Sequence, residues 1–585
     1  MKRIFCFAIF LFSVLTLLAQ GENKKSLNLI PVPVTIKQGA GECSLPYNAI
    51  IYYNGQEDIR MIVNQLADRL NTGGNLIQLK KGKSELPGSI NYILTNEPGI
   101  PAEGYQLIVN RKNITLKASQ PAGLFYGTQT LLQLLPAAVE FPERQKPVKS
   151  WTLPEVTITD QPRFAWRGLM LDVSRHFFTV AQVKEYIDQM VKYKFNLLHL
   201  HLTDDQGWRL QIKSLPKLTE IGAWRVERTG TFGTFPKPEP GEKATYGGFY
   251  THEDIKELVK YAADRFVNIL PEIDVPGHSL AAIAAYPELS CTPGDYYVSP
   301  GDCFMVWPGG GQHFYGLLDN TICPALEKNF EFLDKVFTEV AELFPFGYIH
   351  MGGDETARNF WEKSESIKAL MQEKGLKNLD EVQSYFVKRV EKIISSKGKK
   401  LIGWDEILEG GLAPNAVVMS WRGETGGIEA AKQKHGVIMT PGNPVYFDHS
   451  QSENEDSITI GGYNPIEKVY AWDPVPAELS AAEGKYILGA QANVWTEYMD
   501  NPGKVEYMIF PRMAALSEVL WSKKENKNWN AFEKKMATQF NRYALWNANY
   551  SKAFYDIKAR VLPAPTGNGV LWELTGKSAE KIRVK

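Results

Sequence analysis

GYIHMGGDE, residues 347–355, joins a short apolar run to two glycines and two carboxylates. The apolar half is typical of a buried β-strand. In a regular strand, adjacent side chains point to opposite faces, so Asp354 and Glu355 can serve one site only if the strand ends and the backbone turns. Gly352 and Gly353 permit that turn and leave room for a ligand beside the backbone. Since a solvated surface turn is the ordinary alternative for such a run, the rest of the chain must distinguish the two.

The same pattern of a short apolar run recurs along the chain from about residue 163 to residue 521. The eight strand candidates are RGLMLDV (167–173), NLLHLHL (196–202), VNILPEI (267–273), GYIHMG (347–352), KKLIGW (399–404), AVVMSW (416–421), GVIMT (436–440) and YILGAQAN (486–493). Amphipathic helices are expected between them, for example at 180–194 and 252–266. Strands that alternate with helices predict a parallel sheet, and eight such units predict an α/β fold of the closed (β/α)8 TIM barrel type.

The flanking regions predict additional units on both sides of the barrel domain, which we place at residues 161–525. Residues 22–160 carry strand patterns and a helical pattern at 122–135, which together predict a small α/β domain. FPERQKPVKSWTLPEV, residues 141–156, is rich in proline and charge and is expected to be a connector. Residues 526–585 predict a C-terminal helix, at 529–546, followed by a short strand-rich tail.

Residues 1–21, MKRIFCFAIFLFSVLTLLAQG, have the three parts of a secretory signal peptide. Lys2 and Arg3 form the charged start, an apolar run follows, and Ala19 and Gly21 supply small residues for cleavage. The apolar run is too short for a comfortable membrane span, and we expect no transmembrane span elsewhere. The mature protein is therefore expected to be exported, either to a periplasm or to the medium.

Composition narrows the class of protein. Of the 585 residues, 44% are hydrophobic and 22% charged, which is ordinary for a globular protein, and the formal net charge of -1 gives no electrostatic footprint for nucleic acid or an anionic membrane. No cysteine and histidine spacing resembles a zinc site, and we expect no metal and no cofactor.

Four cysteines remain after the predicted cleavage: Cys43, Cys291, Cys303 and Cys323. Three of them lie in one loop region rich in glycine and proline, and export permits disulfides. A bond between Cys291 and Cys323 is plausible, but the spacing alone leaves the pairing open.

Acidic residues and tryptophans follow nearly every strand candidate. In TIM barrels, chemistry collects at the carboxyl ends of the strands, so these side chains are expected to converge on one mouth. A ring of carboxylates and indoles suits a sugar, which offers hydroxyls to the acids and an apolar ring face to the indoles. The strand-end residues are Asp172, Arg175, Asp204, Asp205, Glu272, Asp274, His278, Asp354, Glu355, Trp404, Trp421, Tyr446, Asp448, Trp495 and Glu497.

Two clusters admit a second interpretation. His199, His201 and His350 lie within strands and could form a metal cluster. We favour hydrogen-bonded core histidines, because the interior of such a barrel is packed and no carboxylate is spaced with them in the sequence. Asp405 and Glu406 could imitate a second catalytic pair, but we expect them to be salt-bridged.

The motifs RGLMLDVSRHF, HLHLTDDQGWRL, PEIDVPGHS, HMGGDE, GWDE and LGAQANVWTEY occur in this order. They resemble glycoside hydrolase family 20, the β-N-acetylhexosaminidases. The resemblance covers roughly residues 163–521, and the preceding α/β domain is also similar to that of the family. The tail beyond about residue 550 carries no motif that we can assign.

The resemblance implies an exo-acting enzyme that releases terminal β-linked GlcNAc or GalNAc by a substrate-assisted, retaining mechanism. Glu355 would be the general acid and base. The substrate's own 2-acetamido oxygen would attack the anomeric carbon and form an oxazolinium intermediate. Asp354 would hold the acetamido N–H, and Tyr446 would donate its hydroxyl to the acetamido oxygen.

The resemblance also assigns the residues that hold the sugar. Trp404, Trp421 and Trp495 would wall the acetamido pocket, and Trp472 would line the same pocket. The hydroxyls at positions 3, 4 and 6 and the network that tunes Glu355 involve the remaining assigned residues. Arg175, Glu497 and Asp448 would bind the hydroxyls. The network would consist of Asp204, Asp205, Asp274 and His278. We also count Asp204 and His278 as substrate-binding. Which of Asp204 and Asp205 faces the site stays open.

Two other functions remain as alternatives. One is a conventional two-carboxylate glycosidase on the same barrel, with a nucleophile from another strand end. The other is a non-catalytic protein that binds N-acetylhexosamine, although such a protein has no need for a general acid. The sequence leaves open the natural glycan, the preference between GlcNAc and GalNAc, and the oligomeric state.

Overall fold

The computed structural model describes residues 27–72, 74–141, 146–292, 294–306, 314–455, 457–563, 565, 567 and 569–577. The predicted signal peptide, residues 1–21, lies outside these described residues. Within these ranges, every helix is too short or too polar to span a bilayer.

The N-terminal part is a seven-stranded mixed sheet with two helices. Its strands are β1 (Thr35–Pro46), β2 (Ile50–Tyr53), β3 (Gln78–Lys81), β4 (Ser89–Leu94), β5 (Tyr105–Val109), β6 (Ile114–Ala118) and β7 (Ser150–Asp160), in the spatial order β1-β7-β5-β6-β4-β2-β3. The helices are α1 (Glu57–Asn71) and α2 (Pro121–Leu134), the latter at the position that the helical pattern predicts.

Strand β7 corrects the expectation of a connector over residues 141–156. The chain pairs antiparallel with β1 from Ser150 onward and with β5 from Val156 onward. Trp151 and Leu153, and then Val156 and Ile158, are buried. The alternation slips by one residue at Pro154–Glu155, and this slip, with the neighbouring prolines and charges, obscures the strand in the sequence. Pro154 is tolerated because it lies beside a register shift in β1, where the regular ladder is interrupted.

Eight parallel strands close into a barrel, which confirms the predicted fold class. They are β8 (Trp166–Asp172), β9 (Leu197–His201), β10 (Asn268–Glu272), β11 (Tyr348–His350), β12 (Lys400–Trp404), β13 (Val417–Ser420), β14 (Val437–Met439) and β15 (Ile487–Ala492). Each lies within the predicted segment or within one residue of it. The interior is packed with side chains such as Leu197, Leu270, Ile402 and Met419, so the lower part of the barrel is a core and not a channel.

Helices surround the barrel and follow most of its strands. They are α3 (Val180–Lys192), α4 (Lys217–Glu220), α5 (His252–Ala263), α6 (Leu280–Ala285), α7 (Glu327–Leu343), α8 (Asn359–Lys363), α9 (Glu365–Lys374), α10 (Leu379–Ser396), α11 (Thr425–Lys432), α12 (Ile466–Ala471), α13 (Pro502–Ile509), α14 (Arg512–Trp521) and α15 (Trp529–Leu545). The predicted cap of α5 is present, because Thr251 and Asp254 form a reciprocal capping box. Between β12 and β13 the chain makes a 3₁₀ turn, Asp405–Leu408, in place of an α-helix.

The connections after the second and third barrel strands are long and carry short ribbons. The paired segments are Thr203–Asp204 with Gly207–Trp208, Trp224–Arg225 with Tyr246–Gly247, and Met305–Val306 with Tyr315–Gly316. A disulfide joins Cys291 to Cys323 across the third connection, which settles the pairing that the sequence left open. Cys43 is a buried free thiol and Cys303 an exposed one. At the end of the chain, β16 (Lys558–Pro563) and β17 (Val570–Thr575) form a hairpin.

A buried polar cluster joins the N-terminal sheet to the barrel. Asp160, at the end of β7, accepts hydrogen bonds from the Tyr105 hydroxyl (2.6 Å), the Lys194 ammonium (3.0 Å) and the Trp521 indole (3.0 Å) through one oxygen, Oδ2. Because Asp160 and Lys194 are both buried, each depends on the other for its counter-charge. The two units therefore share a single interior at this point.

Candidate active site

The chain turns sharply where β11 ends, as the two glycines predict. Gly352 and Gly353 have φ values of +68° and +97°, and Glu355 follows with a φ of +43°. A Cβ on Gly352 would lie 1.8 Å from Oδ1 of Asp274, so no other residue fits there without movement. The backbone N–H of Gly353 donates to the same oxygen (3.3 Å). Asp274, which follows the neighbouring strand, thus packs against the turn at Gly352 and Gly353, which we call the glycine corner.

The corner brings both acids to one imidazole. His278 Nε2 lies 3.4 Å from Oε2 of Glu355 and 3.6 Å from Oδ2 of Asp354. Both carboxyl groups are about nine-tenths buried. The two adjacent side chains therefore converge on the same buried imidazole, which rules out a solvated surface turn.

Burial governs the protonation of this pair. It raises the pKa of Glu355, and the Asp354 carboxylate adds to the increase, while the cationic His278 opposes it. Burial likewise raises the pKa of Asp354, again against His278. Although burial disfavours charge on His278 itself, the Asp204 and Asp354 carboxylates raise its pKa well above the usual value. Burial thus favours the protonated forms of both acids, whereas the cationic His278 favours their ionised forms.

The orientation of Asp204 and Asp205 is now clear. Asp204 accepts from Arg175 (2.8 Å), from His201 Nε2 (2.8 Å) and, through its other oxygen, from His278 Nδ1 (3.1 Å). Asp205 accepts from the Leu280 backbone N–H (2.9 Å) and from the Asn320 amide (3.2 Å), and it also contacts His278 Nδ1 (3.3 Å). Protein donors thus occupy both carboxylates.

Four aromatic rings enclose one side of the mouth. Trp421 and Tyr446 are stacked, with ring centroids 6.2 Å apart and an interplanar angle of 15°. Trp495 lies 6.4 Å from Tyr446 and 5.9 Å from Trp404. The structure therefore gathers the three indoles and the phenol that the resemblance assigns to the acetamido pocket.

Buried carboxylates fix the orientation of two of these indoles. The Trp404 N–H donates to Oε1 of Glu272 and the Trp421 N–H to Oε2 of Glu406, each at 2.9 Å. Arg422 pairs with Asp405 and contacts Glu406, so these two acids are salt-bridged as expected.

Arg175 and two acidic residues lie beside Trp495. The Arg175 guanidinium lies over the Trp495 ring, 5.0 Å from its centroid, and pairs with Asp204 and Asp172. Asp448 and Glu497 line a narrow cleft beside Trp495. Burial raises the pKa of both acids, and Oδ1 of Asp448 has no hydrogen-bond partner among the described residues.

Trp472 lies outside the group of four rings. It follows α12, and its indole N–H donates to Glu424 (3.0 Å), on the loop that follows Trp421. In the described part of the chain it makes no ring contact with the other assigned tryptophans. That Trp472 lines the acetamido pocket stays a prediction.

The sequence analysis did not predict two features of the site. The segment Ile458–Ile460 and Tyr498 line the cleft beside Asp448 and Glu497, and no motif or spacing marks the former as a site segment. The second is the position of Glu272, whose carboxylate lies between all three core histidines.

The expectation that no carboxylate accompanies these histidines was wrong. Glu272 lies 3.1 Å from His199 Nε2 and 2.9 Å from His350 Nδ1, and it accepts a hydrogen bond from His201 Nδ1. The parallel register pairs Glu272 with both His201 and His350 on neighbouring strands, a relation that sequence spacing does not contain. The histidines are buried and hydrogen-bonded, as we expected.

The fold is a (β/α)8 barrel, and its mouth holds two adjacent buried carboxyl groups and a wall of indoles. This combination is typical of glycoside hydrolases. The model of the glycosyl hydrolase family 20 catalytic domain matches residues 164–524, and that of the family's domain 2 matches residues 26–161. The chain belongs to glycosyl hydrolase family 20.

Relatives and solved structures agree with this assignment. The chain is 40% identical over 532 residues to a β-hexosaminidase of Porphyromonas gingivalis. The match covers 90% of this chain and 65% of the length of that protein. It resembles the exo-β-N-acetylglucosaminidase of Vibrio harveyi in complex with N-acetylglucosamine (TM-score 0.77, 32% identity, 90% of this chain and 78% of that chain). The β-N-acetylhexosaminidase of Streptomyces coelicolor is similarly close (TM-score 0.75, 32% identity, 90% and 97%).

The glycine corner makes a direct prediction for stability. Replacing Gly352 by alanine combines a left-handed backbone with a collision against Asp274, which should cost about 2–5 kcal/mol of the free energy of unfolding. Gly347, at the other end of the same strand, is the matched control, because a Cβ there meets nothing within 4 Å. Equilibrium denaturation of both variants measures the difference, and equal stabilities would contradict the packing described here.

Proposed function

We propose that the protein is an exo-acting β-N-acetylhexosaminidase, which hydrolyses terminal, non-reducing β-linked GlcNAc or GalNAc with help from the substrate's own acetamido group. The observation that carries the proposal is the convergence of Asp354 and Glu355 on His278 at the edge of the four-ring wall. The named activity of the Porphyromonas relative and the N-acetylglucosamine held by the Vibrio harveyi structure support it.

Glu355 is suited to general acid and base catalysis. Burial raises its pKa, which extends its protonated form to higher pH than that of an ordinary glutamate, so it can protonate the departing glycosidic oxygen. Once it has lost that proton, the nearby imidazolium of His278 stabilises the carboxylate, which can then remove a proton from the incoming water. One residue therefore serves both half-reactions.

Asp354 and the aromatic wall act on the nucleophile. The acetamido oxygen of the sugar attacks the anomeric carbon, so the enzyme supplies no nucleophile of its own. Asp354 accepts the acetamido N–H and stabilises the positive charge that develops on the oxazolinium ring. Tyr446 donates to the acetamido oxygen, and the indoles of Trp404, Trp421 and Trp495 exclude water and restrict the group to the attacking geometry.

The acidic side of the mouth binds the rest of the sugar. Arg175, held by Asp172 and Asp204, donates to the hydroxyls at positions 3 and 4, and Glu497 and Asp448 accept from hydroxyls at positions 4 and 6. Because protein donors occupy both oxygens of Asp204, we place Asp204 in the supporting network and not in contact with the sugar.

The acetamido requirement is the sharpest test of the activity. Nitrophenyl N-acetyl-β-glucosaminide should be hydrolysed, whereas the matched nitrophenyl β-glucoside should not, because it lacks the internal nucleophile. Release of nitrophenol measures both reactions. Equal cleavage of the two would favour a conventional two-carboxylate glycosidase, and tight binding of the N-acetyl compound without product would favour a sugar-binding protein.

Glu355→Gln should lower kcat/KM by on the order of 10²–10⁴, the usual contribution of a general acid. In the wild type, the rate should fall as the pH rises through the raised pKa of Glu355, because the acid form is lost; the variant cannot ionise and should lack this limb. Glu506→Gln is the matched control, since burial also raises the pKa of Glu506 but it lies on α13 outside the mouth. A pH profile of Glu355→Gln that keeps the wild-type limb would exclude this role.

We infer that the protein acts outside the cytoplasm, in a periplasm or the medium. The signal-like residues 1–21 and the Cys291–Cys323 disulfide support this, since such bonds persist in oxidising compartments. Mass spectrometry of the protein from fractionated native cells should show a chain that begins near residue 22 in the exported fraction. An intact residue 1–21 segment on cytoplasmic protein would contradict the inference.

A further inference from the structure

Glu272 occupies a junction that the proposed mechanism does not use. It is completely buried at the end of β10, and its two oxygens face different parts of the site. Oε1 accepts from the Trp404 indole (2.9 Å), and Oε2 accepts from His201 Nδ1. A carboxylate with two separate acceptors can serve both donors at once, which no neutral side chain of the same shape can do.

From Oε2, a chain of buried groups leads to the catalytic acid. His201 Nε2 lies 2.8 Å from Oδ2 of Asp204, and Oδ1 of Asp204 lies 3.1 Å from His278 Nδ1. His278 Nε2 in turn lies 3.4 Å from Oε2 of Glu355. Carboxylates and imidazoles alternate along the whole path, and every member is at least nine-tenths buried. In such an environment each charge is stabilised mainly by its neighbours in the chain.

From Oε1, the path leads to the wall of the acetamido pocket. Trp404 is almost fully buried and packs against Trp495 at 5.9 Å between ring centroids. Its orientation is set by the hydrogen bond to Glu272 together with contacts to the His350 and His199 rings. Glu272 thus holds one end of the wall that restricts the nucleophile.

We propose that Glu272 is a positioning residue that couples the acetamido pocket to the acid and base, Glu355. This inference rests on the proposed function, since it assigns the two ends of the coupling to the nucleophile and to the proton donor. Glu272 touches neither the sugar nor the reacting atoms. One oxygen of Glu272 fixes the Trp404 ring. The other stabilises the positive charge of His201, and His201 in turn supports the Asp204–His278 pair.

Glu272→Gln leaves one acceptor oxygen where the wild type has two. Glutamine offers one acceptor oxygen and one donor group, so either Trp404 or His201 loses its acceptor. The substitution also removes a negative charge faced by His199, His201, His350, Asp274 and Asp354. Since Asp204 and Asp172 still favour the cationic form of His201, the path gains net positive charge, which stabilises the ionised form of Glu355. The fall of kcat/KM at high pH should therefore move to lower pH.

The experiment compares kcat, KM and the pH profile for nitrophenyl N-acetyl-β-glucosaminide across four proteins. We expect Glu272→Gln to lower kcat about tenfold or more, a loss of at least ~1.4 kcal/mol of transition-state stabilisation, and to shift the high-pH limb downward. Trp404→Phe removes the indole donor and part of the ring but no charge, and it should raise KM without moving that limb. Glu518→Gln is the matched control, because Glu518 is equally buried and hydrogen-bonded, to Lys535 and Tyr470, but lies on outer helix α14; its pH profile should match that of the wild type.

A second variant and a second measurement keep the inference falsifiable. If Glu272→Gln does not fold, His201→Gln interrupts the same path and should lower kcat with a shifted limb. Titration of ¹³C-labelled histidines by NMR, which needs no activity, should show lower pKa values for His201 in Glu272→Gln than in the wild type. Unshifted profiles and unshifted histidines, with reduced stability alone, would overturn the inference, whereas a wild type without turnover would count against the proposed function instead.

Discussion

The structure of the mouth depends on the contact between Asp274 and the glycine corner at the end of β11. A carboxylate oxygen occupies the space that a Cβ of Gly352 would need, 1.8 Å away, and accepts the N–H of Gly353. This contact forces the backbone to leave the strand, so Asp354 and Glu355 reach the same imidazole and not opposite faces of a sheet. Removing the turn would separate the two acids and, with them, the two halves of the proposed chemistry.

The charge pattern around the corner explains how so many ionisable groups can be buried together. Along the path from Glu272 to Glu355, each carboxylate lies beside an imidazole, and Arg175 adds a further cation at Asp204. Alternation limits the cost of burial, because every charge has an opposite charge within hydrogen-bond reach. The acids at the open end, Asp354 and Glu355, have fewer such partners, and burial therefore raises their pKa values. The buried surroundings thus favour the protonated form of Glu355, which is the form that a general acid requires.

Much of this architecture could be predicted from the sequence, because the barrel strands are short, apolar and followed by polar residues. Their positions agree with the structure, and the three indoles and Tyr446 converge as the motifs indicate. Strand β7 was not anticipated, since Pro154 and the charges before it conceal an alternating strand. Ile458–Ile460 was not anticipated either, because a loop that lines a cleft needs no particular periodicity.

The sequence by itself determined the eight-strand alternation, the glycine turn and the chemical types gathered at the mouth, because all three are written in local patterns of apolar, small and charged residues. Only the tertiary structure decided which charges are neighbours. Asp204 pairs with Arg175, whereas Asp205 accepts from the Leu280 backbone N–H. Glu272 meets His201 and His350 through the register of parallel strands. Glu272 also accepts from the Trp404 indole, 132 positions away in the chain. The geometry of these pairings follows from barrel closure and packing, which no local spacing specifies.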